Sequence, residues 1–71
     1  MAIQSFNPAS SNVENVSFDD STDTLTVAFA DGASYEYLNV PASVYRSFQA
    51  APSAGQFVHR NLKGRYPSER V

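Results

Sequence analysis

Cysteine is absent from the 71 residues, which removes disulfide staples, Cys-ligated zinc and thiol catalysis together. Histidine occurs once, as His59. A hydrolytic triad needs a nucleophile, a base and an orienting acid, and no G-x-S-x-G surrounds any of the serines. A metal site wants three or four converging ligands. The one crowd of acids, Asp19, Asp20 and Asp23, has neither the loop glycine nor the closing Glu of a calcium-binding EF-hand, and it reads as a solvated turn. A Gly-rich phosphate loop is missing too. These absences predict a protein that is not an enzyme and needs no cofactor. No apolar run approaches the roughly 20 residues of a membrane span. The start, Met1 to Phe6, lacks the basic and apolar regions of a signal peptide, so a cytoplasmic location and no membrane partner are expected.

Lysine and arginine are missing from residues 1–42, which hold Glu14, Asp19, Asp20, Asp23, Asp31 and Glu36. Residues 43–71 carry Arg46, Arg60, Lys63, Arg65 and Arg70 against Glu69 alone. A split of this kind points to an anionic partner for the basic end, or to attraction between the two halves within the fold. A chain this short buries only about 60% of the surface that it exposes when unfolded. Its hydrophobic fraction of 42%, with five Phe and four Tyr, must supply the core, helped if needed by a second subunit in a homo-oligomer.

What is present is patterned. Val16 and Phe18 alternate with Asn15 and Ser17, the period of a half-buried strand. Asp19 to Thr24 is a run of turn formers. Leu25, Val27 and Phe29 then share one face of a second strand, and Tyr35 and Tyr37 one face of a third. The Ala30-Asp31-Gly32 turn between them is decided by the faces. A two-residue loop sets Val27 opposite Glu36 and buries a carboxylate among apolar side chains. A three-residue loop with Gly32 in the left-handed region sets Val27 opposite Tyr35 and Leu25 opposite Tyr37, so the large residues share one face.

Val40-Pro41 ends the sheet and opens a helix to Ala51, with Val44, Phe48 and Ala51 inward and Tyr45 flanking. After Pro52, Ser53-Ala54-Gly55-Gln56 has the form of a capping box for a second helix. Val58, Leu62 and Tyr66 form its stripe, and Gly64 is placed to cap it. The expected fold class is α+β: a three-stranded antiparallel β-meander followed by two α-helices packed on one face, in the order β-β-β-α-α. Residues 1–9 read as a flexible N-terminal arm, 10–67 as the domain and 68–71 as a C-terminal tail.

The ordered set G-x-x-Y-x-Y (Gly32, Tyr35, Tyr37), Val40-Pro41, A-x-S-x-G (Ala51, Ser53, Gly55) and L-K-x-x-Y (Leu62, Lys63, Tyr66) resembles the KTSC domain. That short module is found at the C-terminus of some lysyl-tRNA synthetases and as free-standing bacterial or phage proteins. Phe18 stands where the family often has Tyr. The resemblance covers about residues 10–66. It implies a module without established chemistry, for which RNA binding is the role on offer.

The second helix is the better functional surface. His59 and Lys63 lie a turn apart, Arg60 and Arg65 border them, and Ser53 and Gly55 sit at the free amides of the helix start, so these six residues are the candidates for nucleic-acid or anion binding. The same residues also describe an ordinary solvated basic face. Tyr35, Tyr37 and Tyr66 are candidates for base stacking, although the register puts the first two under the helices as core. The leading expectation is a non-enzymatic binding module for RNA, another nucleic acid or a nucleotide-like anion. The rivals are a protein–protein adaptor acting through oligomerisation or docking, and a phage-type sponge that sequesters a signalling nucleotide.

Overall fold

The computed structural model describes residues 3–71; Met1 and Ala2, the first two residues of the expected arm, lie outside the described residues. Five strands form one antiparallel sheet in sequential order: β1 (Ile3–Phe6), β2 (Val13–Asp19), β3 (Thr24–Phe29), β4 (Ser34–Tyr37) and β5 (Ser68–Arg70). Helix α1 (Ala42–Ala50) and a second helix cover one face. The second helix is α-helical as α2 over Ala54–Phe57 and continues as a π-helical turn over Val58–Leu62. The three-stranded expectation is corrected to five, because the expected arm and tail each supply an edge strand.

The β3–β4 hairpin has the three-residue geometry that the faces demand. Leu25 pairs with Tyr37 and Val27 with Tyr35. The Phe29 amide donates to Ala33 O at 2.8 Å, Gly32 N donates back to Phe29 O at 3.0 Å, and Gly32 has φ +96°. A side chain at that φ is strained, so glycine is the residue the turn requires. In β2 the buried Val13 and Val16 are separated by two residues, which a regular strand would put on opposite faces. A bulge between Val13 and Asn15 restores them to one face.

Two rows of paired residues cross the sheet on the helix side. One runs Gln4–Phe18–Leu25–Tyr37–Ser68 and the other Phe6–Val16–Val27–Tyr35–Arg70. Over them lie Tyr45 and Phe48 of α1 and Ala54, Val58 and Leu62 of the second helix, all buried. Tyr45 is therefore at the centre of the core, not flanking it, while Val44 is only half-buried and Ala51 is already past the helix end. Phe6 closes the β1 side edge-on to Tyr45 and Phe48, each ring centroid 5.8 Å away, and Phe57 meets Phe48 at 4.6 Å.

The opposite sheet face is polar. Its central row is Ser5–Ser17–Thr26–Glu36–Glu69, with Asp19 beside Thr24. Asp19 is held in its own turn, its Oδ1 accepting from Ser21 N at 3.0 Å and Ser21 Oγ at 2.6 Å, and these hydrogen bonds lower its pKa. Asp19, Glu36 and Glu69 thus share the open sheet face, while Arg46, His59, Arg60 and Lys63 stand on the helices.

Candidate functional site

Ser53 caps the second helix, its Oγ accepting from Gln56 N at 3.4 Å. The helix then widens. Lys63 N donates to Val58 O at 2.9 Å, an i→i+5 bond, and the backbone leaves the helix at Lys63 in an extended conformation (φ −65°, ψ 122°). Single π-turns of this kind recur at functional sites. Gly64, at φ +80°, follows, and Arg65 N donates to Leu62 O at 3.1 Å, which makes Leu62–Arg65 a tight turn of the type that needs glycine third. The helix therefore stops at Leu62, with Gly64 completing the turn beyond it. Tyr66 is folded back against the core, its N–H on Leu62 O at 3.3 Å, and is half-buried.

Between this helix and the outer end of the β3–β4 hairpin lies a groove of about 240 Å³, lined by Phe29, Tyr35, Tyr37, Gly55, Val58, His59 and Lys63. Its floor is aromatic. Phe29 and Tyr35 meet edge to face with centroids 5.9 Å apart and planes at 79°, and both rings are half-buried. Tyr37 is buried, and that burial, reinforced by Tyr35, raises its hydroxyl pKa. Gly55 opens the helix-side wall, and the space where its Cβ would stand faces Asn12 Nδ2 at 3.4 Å. His59 and Lys63 are exposed at the rim. None of the seven lining residues is acidic.

The sequence candidates are thereby divided. Tyr35, Tyr37, Gly55, His59 and Lys63 come together in this groove. Ser53 and Arg60 lie instead on a depression of about 150 Å³, shared with Phe57 and Asn61. Arg65 is exposed in the Leu62–Arg65 turn, and Tyr66 belongs with the core. The two tyrosines also differ from each other. Tyr37 is a core residue that borders the groove, whereas Tyr35 is only half-buried. Phe29 was absent from the sequence candidates, and only its pairing opposite the small Ala33 hints at the space beside Tyr35. Among the described residues no group of three His, Asp or Glu side chains converges as metal ligands would, and no helix is long and apolar enough to cross a membrane.

The KTSC domain family matches residues 9–66, which take in β2, β3, β4 and both helices but neither edge strand. The chain belongs to that family. Two lysine–tRNA ligases, from Trichormus variabilis and Nostoc punctiforme, are 36% and 38% identical to it over 64 residues, which is 90% of this KTSC chain. The chain spans only 11% of the length of either ligase. A protein from Tsukamurella paurometabola is 37% identical over 57 residues, covering 80% of this chain and 85% of its own. The crystal structure of a KTSC domain protein from Yersinia pestis superposes with a TM-score of 0.88 over 99% of both chains at 28% identity. The KTSC fold thus occurs both within lysine–tRNA ligases and as a chain of its own.

Proposed function

We propose that this KTSC domain is a non-enzymatic binding module for single-stranded nucleic acid, RNA foremost, and that the groove between Tyr35 and Lys63 is where it binds. The observation that carries the proposal is the meeting of an aromatic floor with a cationic rim and no lining carboxylate. Bases stack on aromatic faces whatever their sequence, and Lys or Arg contacts on phosphate add affinity through counterion release. The kinship with a segment of lysine–tRNA ligases supports RNA as the partner. The pI near 5.0 and the acidic open face of the sheet disfavour tight binding to duplex, which calls for a strongly basic domain.

The test is fluorescence titration of labelled short single-stranded RNA, single-stranded DNA and a cyclic nucleotide, each at two salt concentrations. The expected result is saturable binding of the single strands that weakens as salt rises. Lys63→Ala should weaken it further and flatten the salt dependence while leaving the melting temperature nearly unchanged. A melting temperature lowered by Lys63→Ala, with binding still fully salt-sensitive, would assign Lys63 to structure. Absence of binding even at low salt overturns the proposal and leaves docking on a protein partner in its place.

A further inference from the structure

The helix-side row Phe6–Val16–Val27–Tyr35 is apolar across four strands and then ends on Arg70. Core packing does not ask for a cation there, since Arg70 is exposed and the row's buried members are complete without it. Yet its backbone is fixed. Strand β5 is pinned at one end by Leu38 N donating to Pro67 O at 2.8 Å and at the other by Val71 N donating to Ser34 O at 2.9 Å. The pairing of Arg70 with Tyr35 therefore puts Arg70 on the helix-side face of the sheet, one strand beyond the Tyr35 that lines the groove, while Lys63 and His59 line it from the helix side.

We infer that Arg70 is a second phosphate contact, and that the groove seats one internal nucleotide of a single strand with a flanking phosphate held on each side. This rests on the nucleic-acid function proposed above and extends it. At about 240 Å³ the groove falls below the roughly 300–1,000 Å³ that drug-sized ligands fill. It accommodates a single base, stacked on the half-buried Tyr35 with Tyr37 beside it. Lys63 serves one phosphate from the helix. Arg70, one strand beyond Tyr35 on the same sheet face, is within the reach of a strand's next phosphate, and its planar fork matches the phosphate oxygens. A free mononucleotide offers one phosphate and uses one side only; a residue inside a strand offers two.

Binding of adenosine 5′-monophosphate and of the RNA pentanucleotide A5 to the full chain and its variants separates these cases. Arg70→Ala should leave the monophosphate affinity unchanged. It should weaken A5 several-fold and reduce the salt slope of A5 binding by about 0.7, the value of one single-strand phosphate. Arg70→Lys should restore the slope, which a purely structural part for Arg70 in β5 would not give. Lys63→Ala should weaken both probes. If Arg70→Ala leaves A5 unaffected, or weakens both probes equally, the two-phosphate seat is wrong while the groove stays a nucleotide site. If the parent protein binds neither probe at low salt, both proposals are overturned.

Discussion

The ring of Tyr45 lies stacked on Phe18, centroids 5.3 Å apart and planes 16° from parallel, and its buried hydroxyl has no hydrogen-bond partner among the described residues. The ring is a large apolar contribution to a small core, and the hydroxyl is a cost. A buried hydroxyl without a partner forfeits on the order of 1–3 kcal/mol of solvation. Tyr45→Phe keeps the stack with Phe18 and the edge contact with Phe6. It should raise stability by about 1 kcal/mol, a gain of roughly 4–8 °C in melting temperature for a domain of this size. A loss of stability in thermal unfolding would mean that the hydroxyl is satisfied in solution.

Tyr45 and Tyr37 also predict an alkaline limit. Burial raises both phenol pKa values above their ordinary range, and for Tyr37 the neighbouring Tyr35 adds to the effect. In the unfolded chain a phenol titrates near 10. The folded state keeps these protons to higher pH, so their stabilising contribution is intact below about pH 10 and is lost as pH rises through the folded values. Melting temperatures taken between about pH 8 and 11 should fall steeply at the top of the range. Tyr45→Phe and Tyr37→Phe should each flatten that fall, and identical slopes in parent and variants would contradict the assignment.

The open face of the sheet yields a third prediction. Glu36 and Glu69 are directly opposed across the β4–β5 pair, and like charges in that position repel. Glu69→Lys replaces repulsion with attraction and should stabilise the protein by about 0.2–1 kcal/mol in denaturant unfolding. High salt should erase most of the gain, since both groups lie at the surface. A variant no more stable than the parent at low salt would show that β5 does not hold this register in solution.

That strand is also where the sequence stops short. The β3–β4 hairpin was legible because Leu25, Val27, Tyr35 and Tyr37 agree in parity once Gly32 takes a left-handed turn. Strand β5 gives no such sign. Ser68-Glu69-Arg70 has no apolar residue, and backbone hydrogen bonds to Leu38 and Ser34 hold its ends. In β1 the pattern is misleading. Gln4 stands on the helix side and Ile3, 69% exposed, on the open face, so only Phe6 reports the core. Within α1, Tyr45 and Phe48 take the core positions, their rings meeting Phe18 and Phe6, while Val44 packs at the core's margin. The π-turn is invisible in the sequence, since Val58 and Leu62 face inward in either kind of helix. As to the site, His59, Lys63, Gly55 and the two tyrosines were legible as residues with binding chemistry. Their separation from Ser53 and Arg60, which face another depression, depends on which side of the helix packs against the hairpin. Arg70 joins them only through a strand that periodicity could not reveal.

The central claim is that nucleic acid binds in the groove between the β3–β4 hairpin and the second helix, and a residue-resolved titration tests it most directly. Backbone amide chemical shifts of the ¹⁵N-labelled protein would be followed as short single-stranded RNA is added at low salt. The account predicts that the largest shifts fall on Phe29, Tyr35, Gly55, His59 and Lys63, which line that groove, with Arg70 beside them on β5. The open-face positions Ser17, Thr26 and Glu36 should stay still. Shifts concentrated on that open face or on α1, or none at all, would contradict it.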